Sequence, residues 1–290
     1  MQLSVQSVIS IILSIIGIHG IIINSAILSV YIRLWRTSNR LGASDPILLS
    51  MALTNLLLVC QYLVTYYLST FHTQINERKL FVFIVLYVLY NMSFWNTAWL
   101  SICYCVKLVT VTHRILLWVK MWFPSSITKI LIGSAIWSVL VNLPFIWTTQ
   151  MIQQNTNITD GSISFTRKVN VPFRVVNMLL SYALPITLTL ICIGLSVTSL
   201  LHHVWRIRQN VSQDSSSPQL QALVRAAVTM TLHVVLDLTF LLIIISAFAV
   251  SSNVGPMTDT FFWVYFFSYP SLQAFILIFG NPNLKRSLFR

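Results

Sequence analysis

The chain reads as an all-α membrane protein, a seven-transmembrane helix bundle with its N-terminus outside. Three observations predict this. Of its 290 residues 56% are hydrophobic and only 8% charged, against about 25% charged in a soluble domain. Its charge-free stretches run past the roughly 20 residues that cross a hydrocarbon core. Its basic residues sit in short clusters between those stretches, so the net charge of +12 reads as a topology signal and not as a nucleic-acid footprint.

The first span is placed at 6–32. Met1 to Ile32 carries no charge, lacks the basic start of a secretory signal and is longer than a signal's apolar core, so it is expected to stay as a helix. Arg33, Arg36 and Arg40 follow. The second span, 46–69, opens on Pro46, a residue suited to a first helical turn. The third, 80–110, is apolar until Lys107, which can snorkel from a turn that projects past the hydrocarbon. The fourth, 127–150, contains Pro144 and leads into a polar segment, Ile152 to Asn170, rich in Asn, Thr, Ser and Gln. That segment, within an outer loop at about 151–172, is expected to be irregular. The fifth span, 173–205, holds Pro185; the sixth is 223–250 and the seventh 260–279, with a short tail at 281–290. Residues 1–290 thus form one domain.

Orientation follows from the basic residues near span ends. One side holds Arg33, Arg36, Arg40, Lys107, Arg114, Lys120, Lys129, Arg206, Arg208, Arg225, Lys285, Arg286 and Arg290; the other holds Arg78, Lys79, Arg167, Lys168 and Arg174. The richer side is cytoplasmic, which needs an odd number of spans. Of the sequons at Asn91, Asn157 and Asn210, only Asn157 then falls in an outer loop open to glycosylation.

Catalytic chemistry finds no support. Six carboxylates exist, Asp45, Glu77, Asp160, Asp214, Asp237 and Asp259, and only Asp237 lies deep in a span, so a paired acid and base cannot be assembled. The histidines at 19, 72, 113, 202, 203 and 233 have no metal-gathering spacing. The cysteines at 60, 103, 105 and 192 all lie in apolar stretches, so no loop disulfide is expected. No metal or cofactor is implied and no enzyme is expected. The chain shows no internal repeat of the kind transporter folds carry.

Two intramembrane features invite function. Asp237 and His233 share a helix face at i and i+4, and an ionisable group at that depth is costly unless paired. They serve a site, or Asp237 merely holds helices together by bonding His233 or an Asn; both readings stand. Trp95 and Trp99 share a face of the third helix beside Asn96. They wall a site for apolar small molecules or belong to the interfacial aromatic belt. The basic inner surface, with His202, His203, Arg206, Arg208 and Arg225, fits a docking partner or simply the positive-inside rule.

Several short motifs recur in one order along the chain. Leu100-Ser101-Ile102-Cys103-Tyr104-Cys105-Val106-Lys107 resembles an LxxFYxxK stretch, with Cys103 in place of Phe and Trp95 preceding it. Pro270-Ser271-Leu272-Gln273-Ala274 through Gly280-Asn281-Pro282-Asn283-Leu284-Lys285 resembles PSxHSxILIxGNxKLK, with Gln273 and Ala274 for His and Ser. Gly20 and Asn24 fit GxxxN, Met51 to Asn55 resembles LAxSR with Asn55 for Arg, and Ser199 to His203 resembles SLWxH. These are motifs of the type 2 (bitter) taste receptor family of G-protein-coupled receptors, which the chain resembles over nearly its whole length. DRY, NPxxY and a retinal-binding lysine are missing.

The resemblance implies a receptor for small, apolar or amphipathic bitter compounds, bound in the extracellular half of the bundle, that activates a gustducin-type or other inhibitory-class heterotrimeric G protein from the plasma membrane. It implies ligand contacts at Trp95, Asn96, Trp99, Phe240, Ile243, Trp263 and Phe266. Trp263 replaces an acid of some relatives, which favours stacking over cationic ligands. Tyr104, Lys107, His203, Arg206 and Arg225 are implied in coupling, and Asn157 in glycosylation. Membrane lipids are the other expected partners. Another chemosensory receptor of the vomeronasal type 1 kind, or a seven-span transporter or channel, is the alternative.

Overall fold

The computed structural model describes all residues except 1–4, 39–41, 43, 72–76, 109–113, 156–162, 210–217, 250–255 and 289–290. Its helices are α1 Val5–Ser38, α2 Asp45–Phe71, α3 Glu77–Leu108, α4 Arg114–Asn142, α5 Phe145–Thr148, α6 Val171–Met178, α7 Leu184–Gln209, α8 Pro218–Ala249, α9 Pro256–Gly280 and α10 Pro282–Leu288. Among the described residues seven helical stretches are long and apolar enough to cross a membrane, the fourth made of α4 and α5 and the fifth of α6 and α7. The bundle read from composition is the bundle formed.

Local chemistry sets the helix ends. At the start of α2 the Asp45 carboxylate accepts the Gly42 N–H at 2.7 Å while Asp45 N–H returns to the Gly42 carbonyl, and Pro46 follows at a position that needs no N–H partner. At the end of α9 the Asn281 side-chain oxygen accepts the N–H groups of Asn283 and Leu284 and so opens α10. Its amide donates to the Tyr31 hydroxyl at 3.0 Å, tying that corner to α1.

Proline shapes the interior of three spans. Pro124 and Pro270 lie inside α4 and α9. Pro144 lies inside the fourth span as expected and breaks it at a turn, 143–144, between α4 and α5, since proline has no N–H for the helical ladder. Pro185, without an N–H to bond the Ser181 carbonyl, follows a π turn at Leu179–Ala183, where the Leu184 N–H reaches back to the Leu179 carbonyl. Such turns hold one extra residue in a continuous helix.

The polar segment 152–170 is not wholly irregular. Strands β1 Thr149–Asn155 and β2 Ile163–Val169 pair antiparallel, from Thr149 opposite Val169 to Asn155 opposite Ile163. A period-two pattern in β2, which the polar composition hid, fits a strand: Ile163, Phe165 and Val169 alternate with Ser164, Thr166 and Lys168, interrupted at Arg167. Asn170 N–H closes the hairpin base on the Thr148 carbonyl.

Two apolar clusters fill the bundle. One, in the half nearer the hairpin, gathers Tyr62, Tyr90, Phe94, Tyr182, Phe240 and Phe267. The other, in the half nearer α10, gathers Ile27, Tyr31, Ile47, Leu100, Phe123 and Leu284. α3 packs on α2, α4, α7 and α8, so it is the axis around which both clusters form. Outward faces carry exposed Ile, Leu and Trp, as a helix solvated by hydrocarbon requires. The cysteines at 60, 103, 105 and 192 are free thiols.

Candidate functional site

The half of the bundle nearer the hairpin holds a continuous set of aromatic rings drawn from four spans. Tyr62 of α2 stacks on Phe267 at 5.5 Å and lies 5.9 Å from Tyr90 of α3. Tyr90 meets Phe240 of α8 at 4.7 Å, and Phe240 meets Tyr269 of α9 at 4.3 Å. Phe266 touches Phe240 at 5.6 Å, and Trp263 stands edge-on to Tyr66 at 5.5 Å. Burial grades along this set: Phe240 is fully enclosed, while Ile243, Trp263 and Phe266 are half-buried. Rings with a partly open edge offer stacking and dispersion to an apolar guest, and hydroxyls beside them fix its orientation.

Beneath the rings lies a buried polar network joining α3, α8 and α9. The Tyr269 hydroxyl donates to the Asp237 carboxylate at 2.8 Å and accepts from the Gln273 amide at 2.8 Å, while the Ser93 hydroxyl donates to the Gln273 oxygen at 3.1 Å. The suggested pairing of Asp237 with His233 or an Asn is therefore corrected. Both His233 ring nitrogens are buried without a partner among the described residues. The Asp237 carboxylate is buried against α9, where the Tyr269 phenol supplies the donor a buried acceptor needs.

The structure sorts the seven residues proposed from sequence into two groups. Phe240 and Phe266, with Trp263 packed beside them, belong to the aromatic set, and Ile243 lies one turn along α8 from Phe240. Trp95, Asn96 and Trp99 lie elsewhere on α3. Trp95 stacks on Trp99 at 5.5 Å, and Trp99 approaches Phe123 of α4. Asn96 is turned to α2, accepting from Ser50 at 3.0 Å and donating to Thr54 at 3.1 Å. The α3 side chains that do enter the aromatic set are Tyr87, Tyr90 and Phe94, and beside them Asn91 donates to Ser181 at 3.0 Å. Sequence reasoning passed over these because aromatic residues cover every side of that helix.

At the opposite end, Tyr104 is half-buried and Lys107 exposed, with its ammonium 3.3 Å from the Ser44 hydroxyl. Arg225 is exposed near the start of α8. His203 and Arg206 lie on α7, their side chains outside the described residues, as is Asn157 altogether.

The family model described as Taste receptor protein (TAS2R) matches residues 1–290. Taste receptor type 2 member 41 of Pan paniscus is 29% identical over 303 aligned positions, covering 100% of this chain and 96% of that protein. Taste receptor type 2 member 40 of Gallus gallus is 29% identical, covering 97% and 92%. Taste receptor type 2 member 119 of Mus musculus is 25% identical, covering 74% and 63%.

Proposed function

Because the chain belongs to the type 2 taste receptor family, whose members are multi-pass plasma-membrane G-protein-coupled receptors for bitter compounds, we propose that its ligands enter the aromatic set and that this half of the bundle faces outward. The membership makes it a receptor and not an enzyme, and sets aside the transporter and vomeronasal readings. The observation that carries the proposal is the graded burial of the aromatic set, closed at Phe240 and open at Trp263 and Phe266. A small apolar or amphipathic compound would lie against Ile243, Trp263 and Phe266, above Phe240. Trp95, Asn96 and Trp99 would act on it from the neighbouring flank of α3.

A ligand changes a receptor's state only by binding one arrangement better than another. Here Phe240 lies 4.3 Å from Tyr269, whose hydroxyl holds Asp237. A guest that displaces Phe240 therefore bears on the buried polar linkage that joins α3, α8 and α9. The helix ends beyond, with Tyr104, Lys107, His203, Arg206 and Arg225, would receive a gustducin-type or other inhibitory-class α subunit. Asn157, in the outward connection between the strands, would carry the glycan.

The test is a G-protein activation assay in cells expressing the full chain at the surface, challenged with a panel of bitter compounds. Phe266→Ala is expected to weaken agonist potency about tenfold, one aromatic contact's worth, whereas Trp95→Ala moves it less. A potency loss confined to Trp95→Ala would place the ligand on the α4 side of α3. Silence to the whole panel, with surface expression shown, would overturn the outward aromatic site.

A further inference from the structure

Lys129 is the described basic residue furthest inside a candidate span. It lies nine residues from the end of Lys120–Thr148, whereas Arg33 lies four from the end of Ser7–Thr37 and Arg174 three from the end of Val171–Leu201. Its side chain is exposed on the bundle's outer face. At 3.6 residues per turn, Trp118, Trp122, Ser125, Lys129 and Ile136 fall on one stripe of α4. Trp118 is 58% exposed, Trp122 46% and Ile136 56%, so this stripe faces hydrocarbon and not the core. The inner face of α4 is set by Phe123, Ile127, Ser134 and Ser138, all buried.

A bare ammonium in hydrocarbon is costly, and a lysine near a helix end relieves the cost by reaching for the interface. The direction is set by the helix: side chains lean toward its N-terminus, which carries the Lys129 stem back past Ser125 toward Trp122. The Trp118 and Trp122 rings stack in parallel, 5.5 Å apart and 6° from coplanar, at the depth where amphipathic rings meet headgroups. Lys129 lies seven residues from Trp122, about 10 Å along the axis. The Ser125 hydroxyl between them is held by the Trp122 carbonyl at 2.8 Å, and Gly133 on the next turn has nothing within 4 Å of where a Cβ would stand. The stripe is therefore unobstructed from the ring pair to the lysine and beyond.

We propose that this stripe of α4 is a binding site for one anionic phospholipid, its headgroup drawn to the Lys129 ammonium on the lysine side of the stacked Trp118 and Trp122 rings and an acyl chain lying along Ile132 and Ile136. Charge complementarity selects the occupant: a cation with no ion pair among the described residues faces the membrane, whose cytoplasmic leaflet carries the anionic lipids. That leaflet assignment rests on the outward placement of the hairpin, but the attraction of Lys129 for a phosphodiester does not. A second copy of the chain is disfavoured as occupant, because its apolar face would bury the ammonium unpaired.

Native mass spectrometry of the purified full chain, titrated with phosphatidylserine or phosphatidylcholine, tests the site. The unmodified protein is expected to retain a first phosphatidylserine in preference to phosphatidylcholine. Lys129→Gln should lower that retention about fivefold, the factor one lysine near an anionic surface is worth. Lys129→Arg should preserve it, and Trp122→Ala should weaken retention of both lipids. Equal phosphatidylserine retention by Lys129→Gln overturns the proposal, as does efficient chain-to-chain crosslinking of Lys129→Cys. Since detergent solution has no leaflets, failure here speaks against the site and leaves the orientation and the aromatic ligand site to their own experiments.

Discussion

Asp237 is the residue whose environment most constrains the bundle. Its carboxylate is held by Tyr269, and Tyr269 in turn by Gln273, so removing one hydroxyl leaves two buried polar groups without their bond. Tyr269→Phe is expected to lower stability by about 1–3 kcal/mol, the usual cost of orphaning a buried group, read as a fall in the thermal midpoint of the purified protein. Asp237→Asn, which keeps an acceptor for that phenol, should cost less; a larger loss than for Tyr269→Phe would show that the charge itself matters. That Asp237 is special was legible in the sequence, since no other acid lies deep in a span. Its partner was not, because Tyr269 is 32 residues away on another helix and nothing local points to it. The same limit separated Trp95 and Trp99 from Tyr90 and Phe94. A four-residue spacing says which side chains share a face, but a helix that is aromatic all round carries no phase to say which face turns inward.

At the scale of elements, close approach of α8 and α9 depends on a missing side chain. A Cβ at Gly280 would stand 2.5 Å from the Thr229 hydroxyl and 2.7 Å from its methyl, and that hydroxyl is itself bound to the Arg225 carbonyl at 2.8 Å. Gly280→Ala is expected to separate the two helix ends and cost about 1–3 kcal/mol, as overpacking does. The paired change Gly280→Ala with Thr229→Ala should recover part of that, in the same thermal assay. Gly20 makes a similar approach, with Ser271 and Val59 at 2.9 and 3.0 Å from its would-be Cβ. The number of spans could be read from hydropathy because hydrocarbon thickness imposes a length. The hairpin could not, because β1 and β2 are too polar for an alternation of apolar residues to stand out. The π turn was hidden as well: Pro185 announces a lost hydrogen bond, but not whether the backbone kinks or widens to absorb it.

For the molecule as a whole, the asymmetry of Lys and Arg is the evidence for orientation, and it is checked by one glycan. Asn157→Gln is expected to abolish the mobility shift caused by deglycosylation, while Asn91→Gln and Asn210→Gln leave it intact; a glycan on Asn210 would invert the bundle. Asn91 is fully buried and bonded to Ser181, which denies it to any modifying enzyme. The number of spans and the family motifs were legible because each is written in contiguous residues. The gathering of a continuous aromatic set in one half of the interior was not, since it arises only when α3 is set at the centre. That central place has a consequence for how such a chain can change over generations. The most apolar stretch of α3 is 61% buried and that of α4 only 22%. Inherited variation on α3 must satisfy several neighbouring helices at once, while most of α4 answers only to the fluid around it and can exchange one apolar residue for another freely. Against so permissive a background, a position on α4 that refuses substitution would identify itself by that refusal, and Lys129 is where such constancy should be sought.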